Sequence, residues 1–179
     1  MFFLDLGANI GYFSGIAAAL VGPAGRVFAF EPSPACHPRL ERNLSAFEQS
    51  FIYKYAASDK NGQAAFYLHP WENGWGSLLA GQGARERVQV DTVRLDDWAQ
   101  QARIERLDFV KIDIEGGECA ALLGAQSLLR CFRPVVVAEL NSVCLSRNQR
   151  TPEDVVGLLL DAGYRCERSD DTVLATPST

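Results

Sequence analysis

Hydrophobic and polar positions follow two rhythms along the chain. Short apolar runs suit buried strands: Phe2 to Leu6, Arg26 to Phe30 with VFAF at its heart, Phe51 to Ala57, the run LDFVKIDIEGGE, and Pro134 to Leu140. Helical patterns lie between them. The small-residue stretch from about Tyr12 to Val21 predicts a helix that Gly22, Pro23 and Gly25 terminate. Ser33 followed by Pro34 predicts an N-cap with proline at the first helical position, and Leu40, Leu44 and Phe47 repeat behind it at helical spacing. Pro38 sits early in that helix, so a start near His37 is the alternative. Leu95 to Gln101 and the residues near Cys119 to Leu129 predict two more helices. Thr151-Pro152-Glu153-Asp154 predicts a capped helix through Asp161, and Tyr164 to Glu167 with Thr172 to Ala175 a closing hairpin.

Residues 61–95 change character. Alternation over Ala64 to His69 and over Val88 to Leu95 reads as antiparallel strands around the glycine-rich WENGWGSLLAGQG, a β-rich insert expected to be mobile or to face substrate. The rest repeats strand, helix, strand, helix, which predicts an α/β fold with an open parallel sheet covered on both faces. At 179 residues and 47% hydrophobic composition, a single domain over 1–179 is expected.

Charge and cysteine content narrow the function classes. A formal net charge of -5, with basic residues scattered among acids, gives no footprint for gripping a phosphate backbone, so no nucleic-acid partner is expected. Five cysteines with long gaps and no C-x-x-C pair signal neither a disulfide framework nor a zinc site, and a cytoplasmic protein fits them best. The opening FLDLGANIGYFSG carries glycines four apart, at Gly7, Gly11 and Gly15, which is compatible with a membrane helix. Asp5, Asn9 and Pro23 and the shortage of large aliphatic residues argue against that, and the acidic start argues against a secretion signal, so no membrane span is expected.

Ligands of open parallel sheets sit at the carboxyl ends of strands, and the first strand-to-helix loop is the usual floor. GANIG occupies that loop, where glycines let the backbone come close to a ligand. Glu31, at the end of the second strand, has the position and chemistry to accept hydrogen bonds from both ribose hydroxyls. A dinucleotide fingerprint needs G-x-G-x-x-G, whereas Gly7, Asn9 and Tyr12 occupy those places. Asn9 would crowd a pyrophosphate, and no P-loop is present. A nucleoside ligand without a diphosphate remains, contacted by Asp5 before the loop and Glu31 after it.

The segments FLDLGANIGYFS, VFAFEPSP, AASDKNG, TVRLDDW, VKIDIEGGE and VVVAELN, in that order over nearly the whole chain, resemble the FkbM family of S-adenosyl-L-methionine-dependent methyltransferases. The resemblance implies a Rossmann-like class I methyltransferase fold, with a seven-stranded mostly parallel sheet whose last strand is antiparallel. It also implies O-methylation of a hydroxyl on a sugar or natural product, with a small-molecule or glycoside acceptor. Carried over by position, it puts Asp5, Gly7, Asn9 and Gly11 around the methionine part of the cofactor and Glu31 on the ribose. Ala57 and Ser58 then lie near the adenine, and Asp113 near the methionine amino group or the reacting centre. Family members usually carry sequence before the first strand that covers the cofactor, so that cover is expected to be missing here, from a fragment, a compact version or a homo-oligomer that lends its lid.

Catalytic candidates are fewer. Methyl transfer by in-line displacement draws much of its rate from proximity and alignment. Asp113, Glu115 and His69 are the candidates for handling a proton, although capping the following helix is the favoured role of Glu115, and surface decoration is the favoured reading of His69. Lys111, inside a central strand, is expected to be the ion-pair partner of a nearby acid. Trp71 and Trp75 are candidates for an acceptor pocket, while Trp98 reads as core. Asp113, Glu139 and Asn141 at adjacent strand ends look like a magnesium site, kept as a minority alternative. The rival functions are a nicotinamide-dependent oxidoreductase and a truncated module that binds cofactor without catalysis.

Overall fold

The computed structural model describes residues 1–68, 76–78 and 86–178. Its main sheet contains β1 (Phe2–Leu6), β2 (Arg26–Phe30), β3 (Ser50–Tyr53), β8 (Phe109–Ile112), β9 (Val135–Glu139), β10 (Tyr164–Ser169) and β11 (Thr172–Pro177). The spatial order is β10-β11-β9-β8-β1-β2-β3. The pairs from β3 to β9 are parallel, and β11 alone runs against its neighbours, wedged between β9 and β10. This is the expected mostly parallel seven-stranded sheet with an antiparallel last strand.

Alternation along the strands sorts side chains to two faces. Phe3, Val27 and Ala29 meet α1 (Tyr12–Val21) and α2 (His37–Leu44) on one face. Leu4, Leu6, Phe28, Phe30, Val110 and Ile112 point the other way, into the main core. That core is closed by α3 (Leu95–Gln101), α4 (Glu118–Leu123), α5 (Gln126–Phe132) and α7 (Pro152–Asp161). Trp98 packs edge-on to Phe30 and Phe28, with centroids 5.1 and 5.3 Å apart, which makes it a core residue as expected. A short helix absent from the sequence expectations, α6 (Ser142–Ser146), follows β9 and is capped by the Asn141 side chain.

Two local expectations are corrected. The stretch Phe51 to Ala57 is two strands, because the chain leaves the main sheet after Tyr53 pairs with Phe30. β4 (Tyr55–Ser58) then joins a second sheet, ordered β4-β7-β5-β6, with β5 (Gly62–Leu68), β6 (Gly76–Ser77) and β7 (Glu86–Arg94). The Ser33 cap does not form: α2 starts at His37, the place Pro38 tolerates as an N-terminal residue, with Cys36 before it.

One glycine ties the second sheet to helices α4 and α3. A Cβ on Gly124, which ends α4, would lie 2.0 Å from the carbonyl oxygen of Ser58, and the Gly124 carbonyl accepts the Asp96 N–H at 2.8 Å. Gly124→Ala is expected to lower stability by about 3 kcal/mol in urea unfolding, because backbone on both sides must move to admit one methyl.

Candidate active site

The main sheet and the second sheet diverge after Tyr53, and a cavity of about 150 Å³ lies where they part. Its floor is the first loop. The Gly7 and Ala8 amides both donate to the Phe30 carbonyl, at 3.0 and 2.9 Å, which folds the loop over the end of β2. Gly7 has φ +83°, and a Cβ there would sit 1.9 Å from the Asp113 carbonyl oxygen, so the loops after β1 and β8 touch at a place only glycine fills. Asn9 takes a left-handed φ of 52° and Gly11 one of 88° as it opens α1.

Glu31 lies on the cavity wall, buried. Its Oε2 accepts the Asn9 N–H and its Oε1 the Ser33 N–H, both at 2.8 Å, so this carboxylate is aimed by backbone from either side. Burial pushes its pKa up to about 7, against the lowering effect of those two amides. Leu6, Phe30 and Pro32 continue the wall, Tyr55, Ala56, Ala57 and Phe66 come from the second sheet, and Leu78 follows its strand β6. The sequence reading named Ala57 among these but missed the rest of the apolar end, which depends on β4 crossing to another sheet.

Acids gather at the other end. Asp113, Glu115 and Glu139 line the cavity, and each offers a carboxylate oxygen within 4.8 Å of the others. Glu115 has φ +55° and does not cap α4: Gly117 occupies the N-cap position, and the Glu115 carboxylate accepts the Cys144 thiol at 3.0 Å. The buried Glu118 organises the loop instead, with Oε1 accepting the Ile114 and Gly116 amides, each at 3.2 Å. Asn141 faces its own helix and accepts the Cys144 amide at 3.2 Å, so it is not part of this group. Three acids without further sign of ligation assign no metal.

Asp5, Gly11 and Ser58 do not line the cavity. Asp5 is fully buried one layer below, where Ser14 donates to its Oδ2 at 2.6 Å and the Lys111 ammonium lies 3.3 Å from Oδ1. Lys111 also reaches Asp113 Oδ2, at 3.2 Å, and rests over the Phe13 ring. Burial pulls the Lys111 pKa down, but Asp5 and Asp113 together lift it above its usual value, which makes it the expected ion-pair partner. A second, largely apolar groove of about 470 Å³ between α1 and strands β8 and β9 reaches the same Asp113 and Glu139. His69, Trp71 and Trp75 lie outside the described residues.

Sequence comparison places this geometry among known proteins. A family profile for the methyltransferase FkbM domain matches residues 5–166. The chain belongs to that family. It is 29% identical over 144 residues to the 2-O-methyltransferase NoeI of Sinorhizobium fredii, covering 70% of this chain and 58% of that protein. It is 27% identical over 176 residues to the hexuronic acid methyltransferase AglP of Haloferax volcanii, covering 95% of this chain and 68% of that one. Among solved structures, FkbM methyltransferase from Methylobacillus flagellatus superposes with a TM-score of 0.62 at 18% identity, over 97% of this chain and 42% of that chain. Fibrillarin from Aeropyrum pernix, solved with natively bound S-adenosyl-L-methionine, gives 0.58 at 13% identity, over 97% of this chain and 64% of that one. These likenesses establish the Rossmann-like methyltransferase fold. The chain spans well under two thirds of the first curated relative and of the solved FkbM protein. Among the described residues, no helix is long and apolar enough to cross a membrane.

Two outcomes follow from the charges. Lys111→Met leaves the buried Asp5 without a counter-charge and is expected to cost about 3–5 kcal/mol in urea unfolding, with much of it recovered in the Asp5→Asn/Lys111→Met double variant. Glu31 and Glu139 have folded pKa values raised to about 7 and about 8, so the folded state holds more protons than the unfolded state above pH 4.5, the ordinary carboxylate value. Stability is therefore expected to fall as pH rises from about 5 to 9, measured by thermal unfolding, and Glu31→Gln to flatten the lower half of that slope.

Proposed function

We propose that this FkbM-family domain binds S-adenosyl-L-methionine in the cavity between the two sheets and transfers its methyl group to a hydroxyl of a sugar or a natural-product small molecule. The observation that carries this reading is Glu31: a buried carboxylate held by two backbone amides at the end of β2, on the wall of the cavity floored by the glycine loop. The carboxylate keeps lone pairs free for two ribose hydroxyls, and the apolar group Tyr55, Ala56, Ala57, Phe66 and Leu78 suits a flat purine beside it. At the opposite end, Asp113, Glu115 and Glu139 suit the ammonium and sulfonium of a methionine moiety.

S-adenosyl-L-methionine supplies an electrophilic methyl on a positively charged sulfur. The protein's part is to hold that methyl in line with the acceptor oxygen and to place negative charge where the cation binds. Gly7 and Asn9 bring backbone to the methionine end, while Asp5 and Gly11 act from behind, by fixing Lys111 and the start of α1. A relative named for 2-O-methylation supports an oxygen acceptor, and one named for hexuronic acid methylation supports a sugar-like acceptor. Asn9, in the place where a dinucleotide fold needs glycine, counts against a nicotinamide cofactor.

Titration calorimetry with S-adenosylhomocysteine is expected to show one site per chain, and titration with NAD none; the reverse pattern would sink this reading. Glu31→Ala is expected to weaken S-adenosylhomocysteine at least about tenfold, the scale of one or two lost hydrogen bonds to a charged acceptor, and an unchanged affinity would contradict the ribose assignment.

A further inference from the structure

We infer that Glu139 takes up the proton of the acceptor, and that the acceptor group is therefore a neutral hydroxyl and not a carboxylate. The inference rests on the methyl-transfer reading and specifies which chemistry the site accepts.

Glu31, Asp113, Glu115 and Glu139 line the cavity, with Glu118 behind its loop, and all but Glu139 are held by backbone amides, a cation or a thiol. Both oxygens of Glu31 accept backbone N–H groups. Asp113 is held by the Lys111 ammonium. Glu115 accepts the Cys144 thiol, and Glu118 holds the loop through two amides. Glu139 Oε2 is buried and receives no hydrogen bond from any described residue; the same holds for Glu118 Oε2, but Glu118 does not line the cavity and Glu139 does. Glu139 also sits where the cofactor cavity and the apolar groove meet, a position it shares with Asp113.

The groups facing Glu139 are of one sign. Asp113 follows β8, Glu115 lies in the loop, and Glu118 begins α4, while the neighbouring strand β11 offers only Thr172 opposite. Among the described residues the nearby cation is Lys111, which is divided between Asp5 and Asp113. Burial first, then the Asp113 carboxylate, then Glu115 and Glu118 push the Glu139 pKa up to about 8. A carboxylate with that proton affinity suits a general base working near neutral pH, since a base far weaker than its substrate transfers a proton poorly.

The step balances without further reagents. The acceptor oxygen forms a bond to the methyl carbon as the bond from that carbon to sulfur breaks, and the sulfur keeps the electron pair as a neutral thioether. The hydroxyl proton passes to Glu139 Oε2 and from there to solvent. An acceptor carboxylate has no such proton to give and would bring a further negative charge against a cluster that already disfavours its own ionisation. The same carboxylates that raise the affinity of Glu139 for a proton thus select against anionic acceptors.

The test has two arms. In the free protein, carboxyl 13C NMR with labelled glutamate, the Glu139 signal assigned by its loss in Glu139→Gln, is expected to show a midpoint between about pH 7 and 9. A midpoint below about pH 6 overturns the proposal. In the second arm, S-adenosylhomocysteine release is measured with methyl α-D-glucoside and methyl α-D-glucuronoside, probes that differ in one carboxylate. The glucoside is expected to turn over at least about tenfold faster. Glu139→Gln is expected to lose about 100-fold and its rise of rate with pH while keeping S-adenosylhomocysteine affinity within about threefold. Faster turnover of the glucuronoside, no turnover of the glucoside by protein that binds the thioether, an unimpaired Glu139→Gln enzyme, or a pH rise abolished by EDTA would each overturn it. Failure of the wild-type protein to bind S-adenosylhomocysteine would instead fall on the methyl-transfer reading, and the NMR midpoint would still decide the proton affinity of Glu139.

Discussion

Lys111 sits at the centre of the sheet and holds two carboxylates from two directions, Asp5 below and Asp113 above. Asp5 is fully buried, and a buried charge persists only when it is paired and hydrogen-bonded. The lysine therefore fixes the ends of the two central strands against each other at the level where their loops begin. It also offsets part of the Asp113 charge at the place where Asp113, Glu115 and Glu139 crowd together. Breaking this ion pair would expose a charge under the floor of the site and disturb the floor with it.

Backbone geometry carries the second constraint. The Gly7 position comes so close to the Asp113 carbonyl that no side chain fits, and the paired Phe30 carbonyl bonds draw the same loop toward Glu31. Three strand ends thus converge on one short loop. Glu118 does the equivalent work beneath residues 114–116, where a left-handed Glu115 is held by side-chain bonds on either side of the loop. Rigid placement of this kind is what an in-line transfer requires, because much of its rate depends on alignment and little on a special reactive group.

The apolar periodicity of the strands, the capped helix at Thr151 and the burial of Trp98 were all legible in the residues, since each depends on neighbours within a turn or a strand. Glu31 and the GANIG loop were legible for the same reason: a strand end and a tight turn are local events. The lysine was readable as an ion-pair partner because a cation inside a buried strand needs one. Which acids it would meet was not readable, because Asp5 and Lys111 lie on different strands brought side by side only by the sheet order.

By itself, then, the sequence determined the parallel α/β architecture, the family to which the chain belongs, and the acid at the end of the second strand. Tertiary structure decided the rest. The turn from Tyr53 into a second sheet opened the cavity, the pairing of β1 with β8 set Asp5 beside Lys111, and the pairing of β8 with β9 brought Glu139 to Asp113 and Glu115. The physical reason is range: turns, caps and alternation are set by residues a few positions apart. Like-charge crowding and burial depend on groups far apart in the chain, and these set the proton affinity of Glu139.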